Sequence, residues 1–284
     1  MKFFFLDWVK DEKKKIAMAS SFGSGYDAPP DDLALSQYYM KKFDYVGVRE
    51  KDGLDICADQ FGIRADQIMD PVFLCNRDLF DVLAASVDNG DLEPFLTSYI
   101  LGPDITKKTV LERISKMLGL SLRNLPNPNN PHRFTEVTGL ETLNEPSVEE
   151  WLYYVKNARF FVGDSFHGLC FSLIFNVPFF IVLHTNVAGL SRFTTLLKLV
   201  GLEDRMMFIN TDSFDEKEYI VKQSIDFEKV NSILSLKVEE SRAWFNDALL
   251  GPKKYKATAE NKIIDELRDK VFNLEKMIKK ISKK

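Results

Sequence analysis

The chain has 284 residues, enough for about two domains, and its 45% apolar residues are ample for packed cores. It carries 38 basic and 42 acidic side chains, a net charge of −4, which argues against a general nucleic-acid binder. Three cysteines without a C-x-x-C pair and three histidines leave too few ligands for a zinc site, so we expect no metal and no cofactor. The odd cysteine count fits a reducing compartment, and no apolar run reaches the length of about 18 residues that a membrane span needs. We therefore expect a soluble cytoplasmic protein.

The first third of the chain alternates predicted strands and helices. Residues 16–23 are small and apolar and end at a glycine, which is typical of a buried strand that meets a loop, and we expect this strand to end near Ser21. Arg49 and Glu50 follow the next predicted strand, and Asp70, before a proline, is expected to cap a loop. The remaining elements of this part are a helix at 33–43, a strand at 45–48 and a helix at 53–61.

A second set of alternating elements begins near residue 90. Residues 126–146 are rich in asparagine and proline and predict a surface loop. The Ser-x-x-Glu pattern at Ser147 is a capping box that predicts a helix over 148–156. The other predicted elements are strands at 95–101, 159–163 and 178–183 and helices at 107–118 and 169–175. Alternation of this kind predicts an α/β fold with parallel sheets.

The domain organisation follows from these elements and from the tail. We expect an N-terminal Rossmann-like domain at 1–90, a second one at 91–225, and helices at 226–252 that pack back across both. The tail, 253–284, carries 11 basic and 5 acidic residues, a net charge of +6, whereas the rest of the chain carries −10. Its apolar residues follow a heptad spacing: Ile264, Leu267, Val271, Leu274, Ile278 and Ile281.

The heptad pattern predicts an amphipathic helix and leaves three roles open. The helix could pack on its own domain, or residues 260–284 could form a homo-oligomer through a coiled coil. Alternatively, its lysines could contact anionic lipid headgroups at a membrane surface, and these are Lys276, Lys279, Lys280, Lys283 and Lys284.

The segment Gly-Asp-Ser-Phe-His-Gly at 163–168 lies between a predicted strand and a helix, where parallel α/β sheets bind ligands. The helix N-terminus offers free N–H groups to an anion, and His167 can act as a general acid or base near neutral pH. The alternative is structural, with Asp164 and Ser165 capping the helix. A serine hydrolase is disfavoured because His184 has no acidic residue three positions before it, as the small esterases with this Gly-Asp-Ser block require.

Five segments follow one another along the chain: Ala-Ser-Ser-Phe-Gly at 19–23, Val-Gly-Val-Arg-Glu at 46–50, Asp-Pro-Val-Phe-Leu at 70–74, the 163–168 motif, and Arg-Phe-Thr-Thr-Leu-Leu at 192–197. Together and in this order they resemble the polysaccharide pyruvyl transferase family. The resemblance implies two Rossmann-like domains as in the GT-B glycosyltransferases. It also implies phosphoenolpyruvate as donor substrate and a sugar of a cell-surface polysaccharide as acceptor, giving a pyruvyl ketal and phosphate.

The resemblance also implies roles for individual residues. Arg49 would clamp the anionic donor together with backbone N–H groups of the 164–169 turn, and His167 would be the general acid or base. Glu50 could orient Arg49, serve as a second acid or base, or be structural, and Arg192 could reach the donor or pair with an acid. The remaining residues expected to contact substrate are Ser21, Gly23, Asp164, Ser165, Phe166 and Gly168.

One departure from the family concerns the first domain. Family members usually begin with further βα units, whereas about 15 residues precede the first strand of this chain. We therefore expect an N-terminally incomplete domain with an exposed sheet edge and an exposed apolar face. Two alternatives to the transferase therefore stay open. The chain could be a non-catalytic partner protein that keeps the donor-binding half, or a GT-B glycosyltransferase that uses a nucleotide sugar. The acceptor could be lipid-linked, which would bring the protein to the inner face of the membrane.

Overall fold

The computed structural model describes residues 5–23, 26, 29–87, 90 and 92–281, and it contains two parallel β-sheets covered by helices. The predicted α/β fold class is confirmed. The strands are β1 (Ile16–Ser20), β2 (Tyr45–Val48), β3 (Asp66–Gln67), β4 (Phe95–Tyr99), β5 (Ser121–Leu125), β6 (Phe160–Gly163), β7 (Phe179–Leu183) and β8 (Met206–Phe208). The helices are α1 (Pro30–Met40), α2 (Lys51–Asp59), α3 (Pro71–Leu74), α4 (Arg77–Ala85), α5 (Ile105–Leu118), α6 (Arg133–Thr138), α7 (Val148–Lys156), α8 (Phe166–Phe175), α9 (Leu190–Val200), α10 (Phe214–Lys222), α11 (Phe227–Leu250) and α12 (Ala259–Ile281).

The first sheet, in the order β1-β2-β3, is small, and the chain covers one of its faces with a distant helix. The indole of Trp244 on α11 lies against Gly47 of β2, where a Cβ atom would stand 2.9 Å from the ring. The indole N–H also donates to Asp66 Oδ2 at 2.9 Å. In addition, Ser241 Oγ accepts from the Met69 N–H at 3.0 Å. The apolar surface expected to be exposed on a short first domain is therefore partly buried by α11.

The second sheet has the order β5-β4-β6-β7-β8, so the direction of chain progress reverses between β4 and β6. Ligands of open parallel sheets bind outside the carboxyl ends of the strands at this kind of switch point. The central strands are buried on both faces, as their continuous apolar sequence predicts. Phe161 and Phe179 point into one core cluster, and Phe160 and Phe180 point into the other.

Several elements differ from the sequence predictions. The edge strand β5 escapes prediction because its five residues mix polar and apolar side chains, and the predicted 126–146 loop contains the short helix α6. Helix α8 begins three residues earlier than predicted, which places His167 in its first turn. The predicted boundary near residue 90 places α4 with the first domain, whereas α4 packs against α7 beside the second sheet, where Lys156 pairs with Asp81 at 2.7 Å.

The C-terminal part of the chain forms two long helices. Helix α11 is a single helix of 24 residues, and α12 follows it after an extended segment. Within the described ranges, no helix is long and apolar enough to cross a membrane. Of the lysines predicted to contact lipid, Lys283 and Lys284 lie outside the described residues.

The capping box of α7 gives a test of this local structure. Ser147 Oγ accepts from the Glu150 N–H at 3.2 Å, and the Glu150 carboxylate accepts from the Ser147 N–H at 2.8 Å. Ser147→Ala should lower the free energy of unfolding in urea by about 1 kcal/mol, because it leaves an N–H of the first turn without its partner. Ser232→Ala, at an exposed position in the second turn of α11, should change it by less than about 0.5 kcal/mol. An equal loss in both variants would contradict the capping role.

Candidate functional site

The candidate site lies at the carboxyl ends of β4 and β6, at the switch point of the second sheet. Asp164, directly after β6, ties the two strand ends together. Its carboxylate accepts from the backbone N–H groups of Leu101 and Gly102, at 2.5 and 3.0 Å, and from Lys107 Nζ at 2.8 Å. Both charged side chains of this ion pair are almost fully buried. Asp164, predicted to contact substrate, therefore uses its carboxylate to shape the crevice.

The first turn of α8 forms one wall of this crevice. Ser165 is the N-cap, and its Oγ accepts from the Gly168 N–H at 3.3 Å. The N–H groups of Phe166 and His167 stand in the first turn, where an α-helix offers no carbonyl partner. A helix N-terminus of this kind attracts anions through its free donors and its dipole.

These elements enclose a cavity of about 570 Å³, which we call the crevice cavity. Its charged and polar lining includes Asp104, Lys107, Asp164, Ser165, His167, His184 and Arg192. A second cavity of about 820 Å³, the inter-sheet cavity, lies between the two sheets and shares Phe166 and Arg192 with the first. Its lining includes Arg49, Lys51, Asp52, Gln67, Asp70, Lys198 and Glu240.

Arg49 extends from the end of β2 toward the same place. Its guanidinium forms an ion pair with Asp70. Asp70 also caps α3, since its Oδ1 accepts from the Val72 N–H at 3.2 Å, and its Oδ2 lies 3.9 Å from His167 Nε2. From the sequence, Asp70 is expected only to cap a loop, whereas in the structure its carboxylate also lies between Arg49 and His167.

The electrostatic surroundings of His167 favour its neutral form. Partial burial lowers the pKa of His167 below the ordinary value of 6.5, and the Asp70 carboxylate opposes this effect. The guanidinium groups of Arg49 and Arg192 lower the pKa further. The imidazole is therefore mostly unprotonated at pH 7 and can accept a proton.

Arg192 brings a further guanidinium to the site. Its Nε–H points to the Gly189 carbonyl oxygen at 3.4 Å, and within the described part of the chain no carboxylate lies within 4.0 Å of its guanidinium. The Arg192 guanidinium lies 5.4 Å and the Arg49 guanidinium 5.6 Å from the centroid of the buried Phe166 ring. Burial and the charge of Arg49 both lower the pKa of Arg192. Of the two roles predicted for Arg192, pairing with an acid is thus not found among the described residues. Its guanidinium lines both cavities instead.

Three of the predicted site residues lie next to Arg49 at the first sheet: Ser21, Gly23 and Glu50. Glu50 is buried, and its carboxylate accepts from the Phe22 N–H at 2.8 Å and lies 3.8 Å from Arg49 Nε. Burial raises the pKa of Glu50. Ser21 Oγ accepts from the Gly23 N–H at 3.2 Å, and Gly23 borders a smaller hollow on the crevice side. These three residues hold the loop after β1 against the base of Arg49.

The structure adds a second histidine that the sequence analysis did not assign to the site. His184 follows β7, lines the crevice cavity with His167, and its Nε2 lies 3.1 Å from Asp104 Oδ2. Asp104 is the N-cap of α5, after β4. The position of His184 at a strand end was visible in the sequence, but its partner lies 80 residues earlier and only the sheet order brings the two together.

The charge of Asp70 can be tested through the titration of His167. Asp70→Asn should lower the pKa of His167 relative to the wild type, because the carboxylate that favours the imidazolium is gone while Arg49 and Arg192 remain. NMR titration of the His167 ring protons measures this. Glu112→Gln, on the surface of α5, should leave the pKa of His167 unchanged. A higher His167 pKa in Asp70→Asn would contradict the electrostatic assignment.

The two glycines of the 163–168 motif are packed against different nearest atoms. A Cβ atom on Gly168 would stand 2.5 Å from Phe161 Cζ, whereas one on Gly163 would stand 2.6 Å from the Tyr99 carbonyl oxygen. Each glycine-to-alanine change should cost about 1–3 kcal/mol of unfolding free energy in urea. Phe161→Leu should offset part of the cost of Gly168→Ala, because the ring atom that clashes is removed. It should offset less of the cost of Gly163→Ala, because there the backbone clash with Tyr99 remains although the Phe161 ring also lies 2.9 Å from the added Cβ. Equal couplings in the two double-mutant cycles would contradict this geometry.

Comparisons with known proteins give a family and a set of distant structural likenesses. The chain is similar to a UDP-N-acetylglucosamine 2-epimerase assigned in Listeria monocytogenes, with 14% identity over 87% of this chain and 72% of that one and a TM-score of 0.46. It is similar to the wall teichoic acid polymerase TagF, with 11% identity over 92% of this chain and 66% of that one and a TM-score of 0.38. A mutant O-GlcNAc transferase from Thermobaculum terrenum gives 15% identity over 82% and 45% of the two chains and a TM-score of 0.35.

No curated protein sequence matches the chain. A family model does match, and its description is polysaccharide pyruvyl transferase. The match runs over residues 1–186, well over half of the chain, and includes β1 to β7 together with the strand ends that form the crevice. The chain belongs to the polysaccharide pyruvyl transferase family.

Proposed function

We propose that this protein transfers the three-carbon unit of phosphoenolpyruvate to two hydroxyl groups of a sugar in a cell-surface polysaccharide, forming a pyruvyl ketal and releasing phosphate. The observation that carries the proposal is the guanidinium of Arg192, which has no carboxylate partner among the described residues and shares the crevice cavity with His167 and with the first turn of α8. Family membership makes the protein a transferase of polysaccharide metabolism. The donor and the ketal product are the proposal.

The reaction sets the number of proton transfers that the site must manage. Two sugar hydroxyl oxygens bond to C2 of phosphoenolpyruvate, and the bond between C2 and the phosphate oxygen breaks. Each hydroxyl loses one proton. One proton is gained by C3, which becomes a methyl group, and the other leaves with the phosphate. The protein therefore needs one group that accepts a proton from a hydroxyl and one that donates a proton to carbon.

The donor is an anion at both ends, and the cavity offers matching cations. A carboxylate or phosphate is bound well by a guanidinium fork and by backbone N–H groups at a helix N-terminus. Arg192 and the first turn of α8 supply both. Arg49 adds a second guanidinium, 5.6 Å from the centroid of the Phe166 ring, although its ion pair with Asp70 uses part of its charge.

His167 is the proposed base for the sugar hydroxyl. Its lowered pKa keeps the imidazole unprotonated near neutral pH, so it is ready to accept a proton. Asp70, 3.9 Å from Nε2, favours the imidazolium that the transfer creates. His184 is the proposed donor of the proton to C3, since it lines the same cavity and Asp104, 3.1 Å from its Nε2, holds the ring in place.

The acceptor is proposed to occupy the inter-sheet cavity. This cavity is larger than the crevice cavity, it meets the crevice at Phe166 and Arg192, and both acidic and basic side chains line it. Hydroxyl-rich sugars are bound by such polar groups. A lipid-linked acceptor and a location at the inner face of the membrane stay predictions, as does a reaction that uses no metal or cofactor.

The first test is ligand-dependent thermal unfolding of the purified chain. Millimolar phosphoenolpyruvate should raise the midpoint of the wild type by a few degrees, because a ligand at about 100 times its Kd stabilises the folded state by about 2.7 kcal/mol. Arg192→Ala should abolish the rise, and His167→Ala should keep most of it while losing turnover. Arg64→Ala, at a side chain that is 90% exposed, is the matched control and should behave as the wild type.

Two outcomes would count against the proposal. If phosphoenolpyruvate does not shift the unfolding midpoint of a well-folded wild type, the chain has no donor site. The non-catalytic partner protein would then be the favoured alternative. A shift with a uridine nucleotide but none with phosphoenolpyruvate would favour a nucleotide-sugar glycosyltransferase. Inorganic phosphate serves as a further probe and should give a smaller shift, since it lacks the carboxylate that the second guanidinium would bind.

A further inference from the structure

Among the described side chains, helix α12 contacts the rest of the protein through its first two turns. Asp265 accepts from Lys42 Nζ at 2.6 Å and from the Tyr38 hydroxyl at 2.9 Å, and the Lys42 side chain is nearly buried by this contact. The Arg268 guanidinium lies 4.5 Å from the centroid of the Tyr39 ring. These contacts hold the first two turns of α12 against α1.

Beyond this attachment the helix exposes a continuous apolar stripe. Its residues are between 40% and 62% exposed, with exposure increasing overall toward the C-terminal end: Ile264, Leu267, Val271, Leu274 and Ile278. Among the described residues nothing covers the stripe. A run of large apolar side chains on one helix face is stable in water only when another surface covers it.

The residue types along the stripe favour a specific partner. In heptad notation, Ile264, Val271 and Ile278 are at position a, and Leu267 and Leu274 are at position d. Branching at Cβ in position a together with leucine at d favours parallel coiled coils of two strands. The sequence continues the pattern with isoleucine 281 at the next d position.

The charges beside the stripe agree with a parallel arrangement. Lys270 occupies position g and Glu275 the following position e. In a parallel pair, g of one helix lies near the next e of its partner, so the two unlike charges meet on both sides of the dimer. In an antiparallel pair, g would face g and the two copies of Lys270 would repel each other.

A membrane surface is a weaker candidate for the same stripe. Residues 259–281 contain six basic and five acidic residues, so the helix is nearly neutral, whereas helices that lie on anionic lipid are rich in lysine and arginine on their polar face. The surplus positive charge of the tail lies before and after α12.

We propose that α12 pairs with α12 of a second copy of this chain in a parallel, two-stranded coiled coil, which makes the protein a homodimer. The attachment of the first two turns to α1 sets the two protein bodies side by side at the N-terminal end of the coiled coil. The proposal is independent of the proposed pyruvyl transfer, because none of its residues lines either cavity.

The test is the mass of the full chain in solution. Sedimentation over about 1–100 µM should give a concentration-dependent mass that reaches twice the chain mass of 32.7 kDa. Leu274→Asp should keep the protein monomeric throughout, because it places a charge in the seam. Asn273→Asp adds the same charge at the exposed neighbouring position c and should dimerise as the wild type. Far-UV circular dichroism and the thermal midpoint at low concentration should show that both variants are folded.

A charge exchange tests the orientation. Lys270→Glu should weaken the dimer, and adding Glu275→Lys should restore it, because the pair is then reversed and again unlike. A monomeric wild type at every concentration, a trimer, or a dimer that survives Leu274→Asp would overturn the proposal. If the wild type is monomeric and binds vesicles of phosphatidylserine and phosphatidylcholine, the stripe faces a lipid surface instead. If the double variant does not regain the dimer, the parallel arrangement is overturned.

Discussion

The crevice depends on one buried ion pair. Asp164 stands where β6 ends, and its carboxylate joins two backbone N–H groups of the loop after β4 to the ammonium group of Lys107. Breaking a buried pair leaves an uncompensated charge, which costs several kcal/mol, so the two strand ends cannot separate easily. The first turn of α8 and the side chain of His167 therefore face a cavity whose rear wall is fixed.

The front of the site is built differently, because two structural units contribute to it. Arg49 and Asp70 come from the region of the first sheet, whereas Phe166, His167 and Arg192 come from the second. The two units also meet where Ser191 Oγ donates to Asp52 at 2.6 Å. A small rotation of one unit against the other would change the distance between the two guanidinium groups and hence the anion that they bind best.

Local signals made part of the structure predictable. The apolar sequence of β7 and the capping box at Ser147 identify their elements from neighbouring residues alone, and the 163–168 motif could be placed at a strand end for the same reason. The edge strand β5 could not be predicted from its neighbouring residues, because it mixes polar and apolar side chains. The roles of Asp70 and Arg192 depend on which charges surround them, and those neighbours come from other loops. Sequence spacing does not record such contacts.

Helix α11 covers the first sheet although the two elements lie far apart in the sequence. Trp244 and its hydrogen-bond partner Asp66 are 178 residues apart in the chain. During synthesis the first sheet therefore emerges long before the helix that buries its face. Contacts of such separation form late, since the closure of a long loop must precede them. The nascent protein exposes this face of the sheet until α11 has left the ribosome, and a chaperone that shields the face would act in that interval.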